Sequence, residues 1–432
     1  MVDTSSVFIL PMLAISLTEP PLQIMAVLPL LLRIRRRHQC LHHQIRTFIN
    51  AKLKWVRDPY LDKAVENEKN LKPLLSLKNL IMSQPSETLP LSSISPLKTH
   101  LNLPTTASKF AENYPLIFKI FNPPTKRPMI ASHPHVKLTS KAISLHNDET
   151  LILNLSHYKK DVAERLAKLL MLTRAKRLPF YVIDKFQFDL GLPHDYKLSF
   201  LPDFPDYFSI CEMGFKDFNG YEAFGLELVR WREDLAASLV EKLARNEGIM
   251  GSKLQFSMNF PRGFDLEKRV KDWVEEWQNL PYISPYEDAF HLAPNSDQAE
   301  KWAVGVIHEL LSLMVSKKME RDNVYLLGDY LVFGLRFKRA LVRYPGIFYV
   351  SNKISTQTVV LREAYRKNFL IEKHPLMKMR YKYIKLMNTV MRRGRPMPDS
   401  VMQRRKRSAN AAKGGKRKEK GDEWTEQMSK IA

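Results

Sequence analysis

The chain has 432 residues, of which 44% are hydrophobic and 10% aromatic, enough apolar side chains to build several folded units and to exclude a wholly disordered polymer. Its formal net charge of +23 favours a polyanionic partner, nucleic acid ahead of an anionic membrane surface. The two cysteines, Cys40 and Cys211, are far apart in the sequence, which excludes a disulfide framework and leaves no CxxC pair for a structural zinc site.

The N-terminal segment has the composition of an import signal. Residues 30–48 (LLLRIRRRHQCLHHQIRTF) mix apolar residues with Arg and His and contain no acid, which predicts an organellar transit peptide over residues 1–50. Residues 22–46 contain no Ser or Thr, which favours the mitochondrion, with the chloroplast as the alternative. The apolar stretch 22–32 is shorter than the roughly 20 residues that a membrane helix needs, so we expect no membrane association. The sequence leaves open whether translation starts at Met1 or Met25.

A seven-residue phrase occurs three times in the chain. Its copies are YPLIFKI at residues 114–120, FPDYFSI at 204–210 and YPGIFYV at 344–350. After the proline, apolar residues recur with period two, which is typical of a half-buried strand, and proline is tolerated at the first position of a strand. We therefore expect three copies of one structural unit, each with a strand that begins at the proline.

The sequence around each phrase also corresponds between the copies. Leu-Pro at 103–104 and at 192–193 predicts a short helix ahead of the first two phrases, with Pro in its first turn, whereas the third copy has Phe-Gly-Leu at 333–335. Within each unit, helical periodicity precedes the phrase, and a second apolar run follows the phrase, at residues 136–139, 224–228 and 358–361. This order predicts a helix-rich α+β fold of three tandem winged-helix-like units, in which helices are followed by a two-stranded wing, at about residues 65–145, 160–232 and 300–365.

Candidate binding residues are the cations that flank these units, since the repeated Leu, Ile and Phe residues belong to the core. They are Arg174, Lys176 and Arg177 after a helix of unit two, Lys317 and Lys318 after a helix of unit three, and Arg336, Lys338, Arg339 and Arg343 just before the third phrase. The first group also suits a helix C-terminus, where cations complement the helix dipole. The last group has four cations in eight residues without an acid, which exceeds what a helix end requires and predicts contact with phosphates.

The C-terminal segment, residues 391–432, carries thirteen Lys or Arg against five acids and few large apolar residues. This composition predicts a disordered basic tail that attracts phosphates without sequence preference, with a merely solubilising tail as the alternative. The run 404–407 (RRKR) is also similar to a nuclear import patch, a destination that the N-terminal segment argues against.

Sequence motifs for catalysis are lacking. His308 and Glu309 begin an HExxH pattern, but Ser312 replaces the second His. There is no GxxxxGK[ST], GxGxxG or GxSxG. The acids Glu275, Glu276, Glu287 and Asp288 are interpreted as a solvated surface, with a metal-dependent nuclease as the disfavoured alternative. We predict no catalytic residues, no metal, no cofactor and no small-molecule substrate.

Several blocks of the sequence resemble a known family. KWVRDPYLD at residues 54–62 is similar to the opening of the plant organelle RNA recognition domain, which occurs in the What's-This-Factor and Root Primordium Defective proteins. Further similar blocks are FPDYF at 204–208, LELVRW at 226–231, YPGIFYVS at 344–351, VLREAY at 360–365 and KHPL at 373–376. The resemblance covers about residues 52–385.

The resemblance implies RNA binding in a plant organelle, with members that promote splicing of group II introns as protein cofactors and not as nucleases. It implies organellar intron RNA, together with other splicing factors, as partners, and it transfers no defined set of RNA-contacting residues. Tyr381 and Tyr383 are candidates for stacking on unpaired bases, with packing inside the protein as the alternative. An organellar DNA-binding protein, or a winged-helix protein that docks on ribosomes or other proteins, is the alternative function.

Overall fold

The computed structural model describes residues 56–123, 133–216, 220–248, 254–261, 264, 267–289, 291–293, 296–331, 335–389, 391–392 and 395–396. The transit peptide predicted at residues 1–50 and all but a few residues of the predicted basic tail lie outside these ranges. The described residues form helices and small antiparallel sheets, which confirms the prediction of a helix-rich α+β protein.

Unit one follows a short N-terminal helix, α1 (Pro59–Asn67). The Asp58 side chain begins α1 by accepting hydrogen bonds from the backbone N–H groups of Tyr60 (3.1 Å) and Leu61 (3.2 Å), as an N-cap does. The elements of unit one are α2 (Leu71–Met82), β1 (Thr88–Pro90), α3 (Leu91–Ile94), α4 (Ala107–Asn113), β2 (Phe118–Phe121) and β3 (His135–Leu138). Helix α5 (Ser140–Asn154) then leads to unit two.

Units two and three repeat this order of elements. Unit two contains α6 (Ser156–Leu172), β4 (Arg177–Pro179), α7 (Phe180–Leu190), α8 (Tyr196–Ser199), β5 (Phe208–Lys216) and β6 (Glu222–Leu228). Helices α9 (Leu239–Asn246) and α10 (Lys268–Gln278) separate it from unit three. Unit three contains α11 (Asp297–Leu313), β7 (Lys318–Glu320), α12 (Arg321–Tyr330), α13 (Leu335–Arg343), β8 (Phe348–Ser351) and β9 (Thr358–Leu361). The chain continues through β10 (Tyr365–Arg366), β11 (Phe369–Leu370), α14 (Pro375–Asn388), β12 (Met391–Arg392) and β13 (Arg395–Pro396).

The three units share a sheet topology and one unusual backbone feature. In each, the last strand lies between the other two, giving the orders β1-β3-β2, β4-β6-β5 and β7-β9-β8. The residue before the first strand has a positive φ in every unit, at Glu87 (52°), Lys176 (54°) and Lys317 (52°), a conformation that is uncommon for residues other than glycine. The shared conformation turns the chain from the first helix into the first strand. The sequence predicted two of the three strands and missed the short first one.

The repeated phrase enters a strand, but the strand begins later than predicted. Strands β2, β5 and β8 start at Phe118, Phe208 and Phe348, three residues after the prolines. The prolines instead lie in a turn, which is closed by the N–H of each Phe donating to the carbonyl of the aromatic residue that opens the phrase, at 2.9, 3.2 and 2.9 Å. The predicted helices after the Leu-Pro pairs likewise begin three residues beyond their prolines, at Ala107 and Tyr196.

The apolar cores show how the units are joined. Units two and three share one continuous core with α9 and α10, whereas unit one has its own core. Helix α14 closes the core of unit one with the buried side chains of Tyr383 and Ile384. At the other end of the chain, Leu61 and Val65 of α1 pack against unit three. Helix α1 therefore covers unit three, and α14 covers unit one.

Candidate nucleic-acid interface

The turn between α6 and β4 in unit two presents cations to solvent. Arg174 and Lys176 are exposed there, and Arg177, the first residue of β4, is half-buried opposite Glu227 of β6. The left-handed conformation of Lys176 holds its side chain outside the sheet, and its backbone carbonyl accepts a hydrogen bond from the N–H of Leu228 (3.0 Å). The geometry thus groups three of the predicted site residues on one surface.

An aromatic side chain adjoins this turn. The Lys176 ammonium lies 5.0 Å from the centre of the half-buried Trp231 ring, a cation–π distance. Arg230, which sequence reasoning did not single out, is exposed beside it. Its signal was its position two residues after β6, which places it next to the turn before β4. We define the basic turn of unit two as Arg174, Lys176, Arg177, Arg230 and Trp231.

The equivalent turn in unit three is covered by other parts of the chain. The Lys318 side chain is 7% exposed, and its Nζ lies 2.6 Å from Glu68 Oε1 at the end of α1. Lys317 Nζ lies 2.8 Å from Glu372 Oε2 and donates to the Ser312 carbonyl at 2.6 Å. These two predicted site residues thus face carboxylates within the protein, and Lys318 does not present its charge to solvent. Local sequence gave no sign of this, because the partner of Lys318 is 250 residues away.

Helix α13 carries the remaining predicted cations, with differing surroundings. Lys338 is exposed and lies 5.3 Å from the centre of the Tyr325 ring, as does the guanidinium of Arg321. Arg339 is half-buried, whereas the Arg336 side chain lies outside the described part of the chain. We define the basic helix surface of unit three as Arg321, Tyr325, Lys338 and Arg339.

Arg343, at the end of α13, is turned toward the interior. Its Nη1 lies 3.4 Å from Glu300 Oε2 of α11, and the side chains are 20% and 6% exposed. Burial raises the pKa of Glu300 to about 7, an effect that the neighbouring Arg343 opposes. The observed role of Arg343 is therefore to compensate a buried carboxylate.

Two tyrosines connect unit two with unit three. The hydroxyl groups of Tyr181 on α7 and Tyr330 on α12 are in hydrogen-bond contact. Tyr181 is 43% exposed and lies four residues after Arg177 of the basic turn. Tyr330 is the last residue of α12, the helix that also carries Arg321 and Tyr325. The two basic surfaces are thus joined through α7 and α12.

Tyr383 cannot act as a stacking platform. Its side chain is fully buried in the core of unit one, and its hydroxyl donates to Glu149 Oε2 at 3.1 Å. Tyr381 is half-buried and packs against the cores on both sides of α14. The alternative given for both residues, packing inside the protein, is therefore the one observed.

The incomplete HExxH pattern has a structural role. Glu309 is buried, accepts from Lys168 Nζ (2.6 Å) and Tyr286 Oη (2.7 Å), and His308 Nε2 lies 2.7 Å from Glu363 Oε1. Among the residues that the structure describes, no group of three or more His, Cys, Asp or Glu is arranged to hold a metal ion. None of the helices within the same residues combines the length and apolar character needed to cross a membrane.

Comparison with known proteins decides the family. A model of the plant organelle RNA recognition domain matches residues 56–392. The chain belongs to this family. It is 34% identical over 350 residues to the Arabidopsis thaliana protein What's This Factor 9, mitochondrial, covering 80% of this chain and 87% of that protein.

Other relatives in the plant organelle RNA recognition family include proteins named chloroplastic and one whose name gives no organelle. The Arabidopsis protein named What's This Factor 1 homolog, chloroplastic, is 30% identical and covers 81% of this chain and 66% of its own length. Root Primordium Defective 1 of the same species is 30% identical and covers 76% of this chain and 81% of its own length. No solved structure matches the chain.

Proposed function

We propose that this protein binds intron RNA in a plant organelle and promotes the splicing of group II introns as a non-catalytic cofactor. The observation that carries the proposal is the basic turn of unit two, where exposed cations adjoin an aromatic ring near the start of β4 and the end of β6. Membership of the plant organelle RNA recognition family and the net charge of +23 support it. Other splicing factors are proposed as further partners.

In this proposal each unit acts as a winged-helix-like module. The order helix, strand, two helices and two strands, with the last strand in the middle of the sheet, supports that description. The basic turn of unit two and the basic helix surface of unit three would contact phosphates, while the solvent-facing parts of Trp231 and Tyr325, which are half-buried against the shared core, would contact unpaired bases. Arg336 stays within the proposed surface as a member of α13, whereas Lys317, Lys318 and Arg343 are assigned to internal ion pairs.

The proposed site of action is the mitochondrion, with the chloroplast as the alternative. The Arg-rich, acid-free segment 30–48 supports import through a transit peptide within residues 1–50, and a similar protein is named mitochondrial. Other similar proteins are named chloroplastic, so the organelle must be established by experiment. A fluorescent fusion of the full chain, imaged with markers of both organelles, distinguishes them.

Binding measurements on the full chain test the RNA preference. We expect intron RNA with unpaired segments to bind at least tenfold more tightly than duplex DNA of equal length, at every salt concentration tested. Equal affinity for the two would favour the alternative of organellar DNA binding. In the organelle, RNA that co-purifies with the chain should be rich in group II introns; ribosomal RNA in their place would favour ribosome docking.

A further inference from the structure

The three units differ in charge where their folds agree. The two-stranded wings are β2–β3, β5–β6 and β8–β9, and the segment that differs runs from the preceding helix (α4, α8 or α13) to the end of the second wing strand. In unit one, residues 106–138 contain five Lys or Arg against one acid, and in unit three, residues 335–361 contain five Lys or Arg and no acid. In unit two, residues 195–228 contain seven acids against two Lys. A segment of net charge −5 in a chain of +23 repels phosphates, which favours a ligand other than RNA for this part of unit two.

Among the residues that the structure describes, the wing strands of unit two are longer than those of units one and three and carry more exposed apolar side chains. Strands β5 and β6 have nine and seven residues, whereas β2, β3, β8 and β9 have four each. Ile210 is 62% exposed and Phe224 is 50% exposed, and Phe224 lies directly opposite Glu212 across the two strands. Nearer the tip, Tyr221 is 74% exposed and Glu222 lies opposite Lys216. We define the acidic wing as Ile210, Glu212, Tyr221, Glu222 and Phe224.

The acidic wing has the properties of a binding surface for a protein segment. Strand β5 is at the edge of its sheet, and exposed edge strands that carry apolar residues pair readily with other chain segments. In the described part of the chain, neither Glu212 nor Glu222 forms an ion pair. Exposed carboxylates around apolar side chains fit a partner with apolar residues next to cations.

We propose that the acidic wing binds the chain's own basic tail, within residues 397–432. Residues 397–418 contain eight Lys or Arg against one acid, which complements the charge of residues 195–228. The sequence MPDSVMQRRKR at 397–407 places Met397, Val401 and Met402 directly before the cationic run 404–407. This combination of apolar residues and cations matches the composition of the acidic wing.

The tail follows a helix that contacts unit two. Helix α14 starts beside unit two, where Arg380 Nη2 donates to the Phe188 carbonyl at 2.5 Å, and its 14 residues extend about 21 Å. Fifteen residues lie between Asn388 and Arg404, and with the β12–β13 hairpin folded as described they can still span roughly 40 Å. Tethering also gives the tail an effective concentration on the order of millimolar, so a weak contact suffices to keep it bound.

Paramagnetic relaxation in the full chain tests this assignment. Cys211 of β5 is partly exposed, so a nitroxide attached there, after Cys40→Ser, reports on groups near the acidic wing. We expect the amide signals of residues 397–407 to lose intensity at least threefold at low salt, and to recover at about 0.5 M salt, where charges are screened within a few ångströms. Charge reversal by Glu212→Lys with Glu222→Lys should abolish the loss. The control, Asp272→Lys with Glu275→Lys, makes the same charge change on the exposed face of α10 and should preserve it.

Each outcome of this experiment decides the assignment. Unchanged tail signals in the parent chain, or an equal intensity loss in the wing variant, would overturn it. A second sample mixes chains that carry the nitroxide but no isotope label with chains that carry the isotope label but no nitroxide. Intensity loss in this mixture would assign the contact to a second copy of the chain and not to the chain's own tail. The experiment contains no RNA, so its result is independent of the proposed RNA-binding function.

Discussion

Replacing Arg174 and Lys176 with glutamine removes two positive charges from the basic turn of unit two while leaving the fold in place. Both side chains are exposed, and glutamine retains most of their length and polarity. Lys176 has φ 54°, a conformation that Gln adopts at a cost similar to that of Lys, so we expect little change in stability. The double variant therefore tests the phosphate contacts themselves.

The size of the effect follows from counterion release. Each contact with a phosphate of single-stranded RNA contributes about 0.7 to the slope of log affinity against log salt, so losing two contacts makes the slope shallower by roughly 1.4. Relative to 1 M salt, where this contribution vanishes, the affinity of the variant should be about 25-fold lower than that of the parent at 0.1 M salt and about fivefold lower at 0.3 M.

A filter-binding or fluorescence titration at four or more salt concentrations measures both the affinity for RNA and the slope of log affinity against log salt. The matched control is Lys268→Gln with Arg269→Gln, two exposed cations at the start of α10 that lie outside both basic surfaces. The control should retain the parent slope and lose little affinity. If both variants lose affinity equally, attraction to RNA is spread over the whole chain and the basic turn has no special role.

Three further predictions address single contacts. Trp231→Ala should weaken binding to unpaired RNA by about 1–3 kcal/mol and hardly affect binding to duplex RNA, as measured with matched single- and double-stranded probes. Lys318→Met leaves Glu68 without its buried partner, so it should lower the free energy of unfolding by about 3 kcal/mol, whereas the double variant with Glu68→Leu should recover most of that loss; a change in the RNA salt slope without a stability loss would contradict this. Burial raises the pKa of Asp189 from 3.8 to about 6, so the folded state holds the proton more tightly and stability falls as pH rises through that interval. Asp189→Asn should therefore add up to about 3 kcal/mol at pH 7.5 and nothing near pH 3.5 in urea unfolding, and equal gains at both pH values would refute the assignment.

Periodic apolar residues allowed much of the fold to be predicted. Alternation after Phe118, Phe208 and Phe348 indicates strands in any context, because one face of each strand must be buried. The first strand of each unit escaped prediction because it is three residues long and is defined only by pairing with a strand roughly 40 to 50 residues later. Neither length nor composition marks such a segment.

The candidate site could be predicted only in part, because sequence shows where charges are but not what faces them. Lys176 and Lys317 occupy equivalent positions with the same backbone conformation, yet Lys176 is exposed beside Trp231 and Lys317 is paired with Glu372. Conversely, Arg230 drew no attention in the sequence, since a single Arg after a strand is common. Its importance comes from the antiparallel pairing that brings the end of β6 next to the turn before β4.

The contact of α1 with unit three explains why equivalent cations have different roles. A lysine buried without a partner loses several kcal/mol of hydration, so Lys318 is compatible with the fold only because Glu68 lies 2.6 Å from it. The same reasoning applies to Arg362, which is 5% exposed and pairs with Asp58 at 2.7 Å. Asp58 and Glu68, at the two ends of α1, thus pair with cations of unit three, whereas the corresponding turn of unit two carries exposed cations. A variant that detaches α1 should consequently expose a second basic turn and also lose stability, whereas Arg174 and Lys176 of unit two can be replaced with little change in stability.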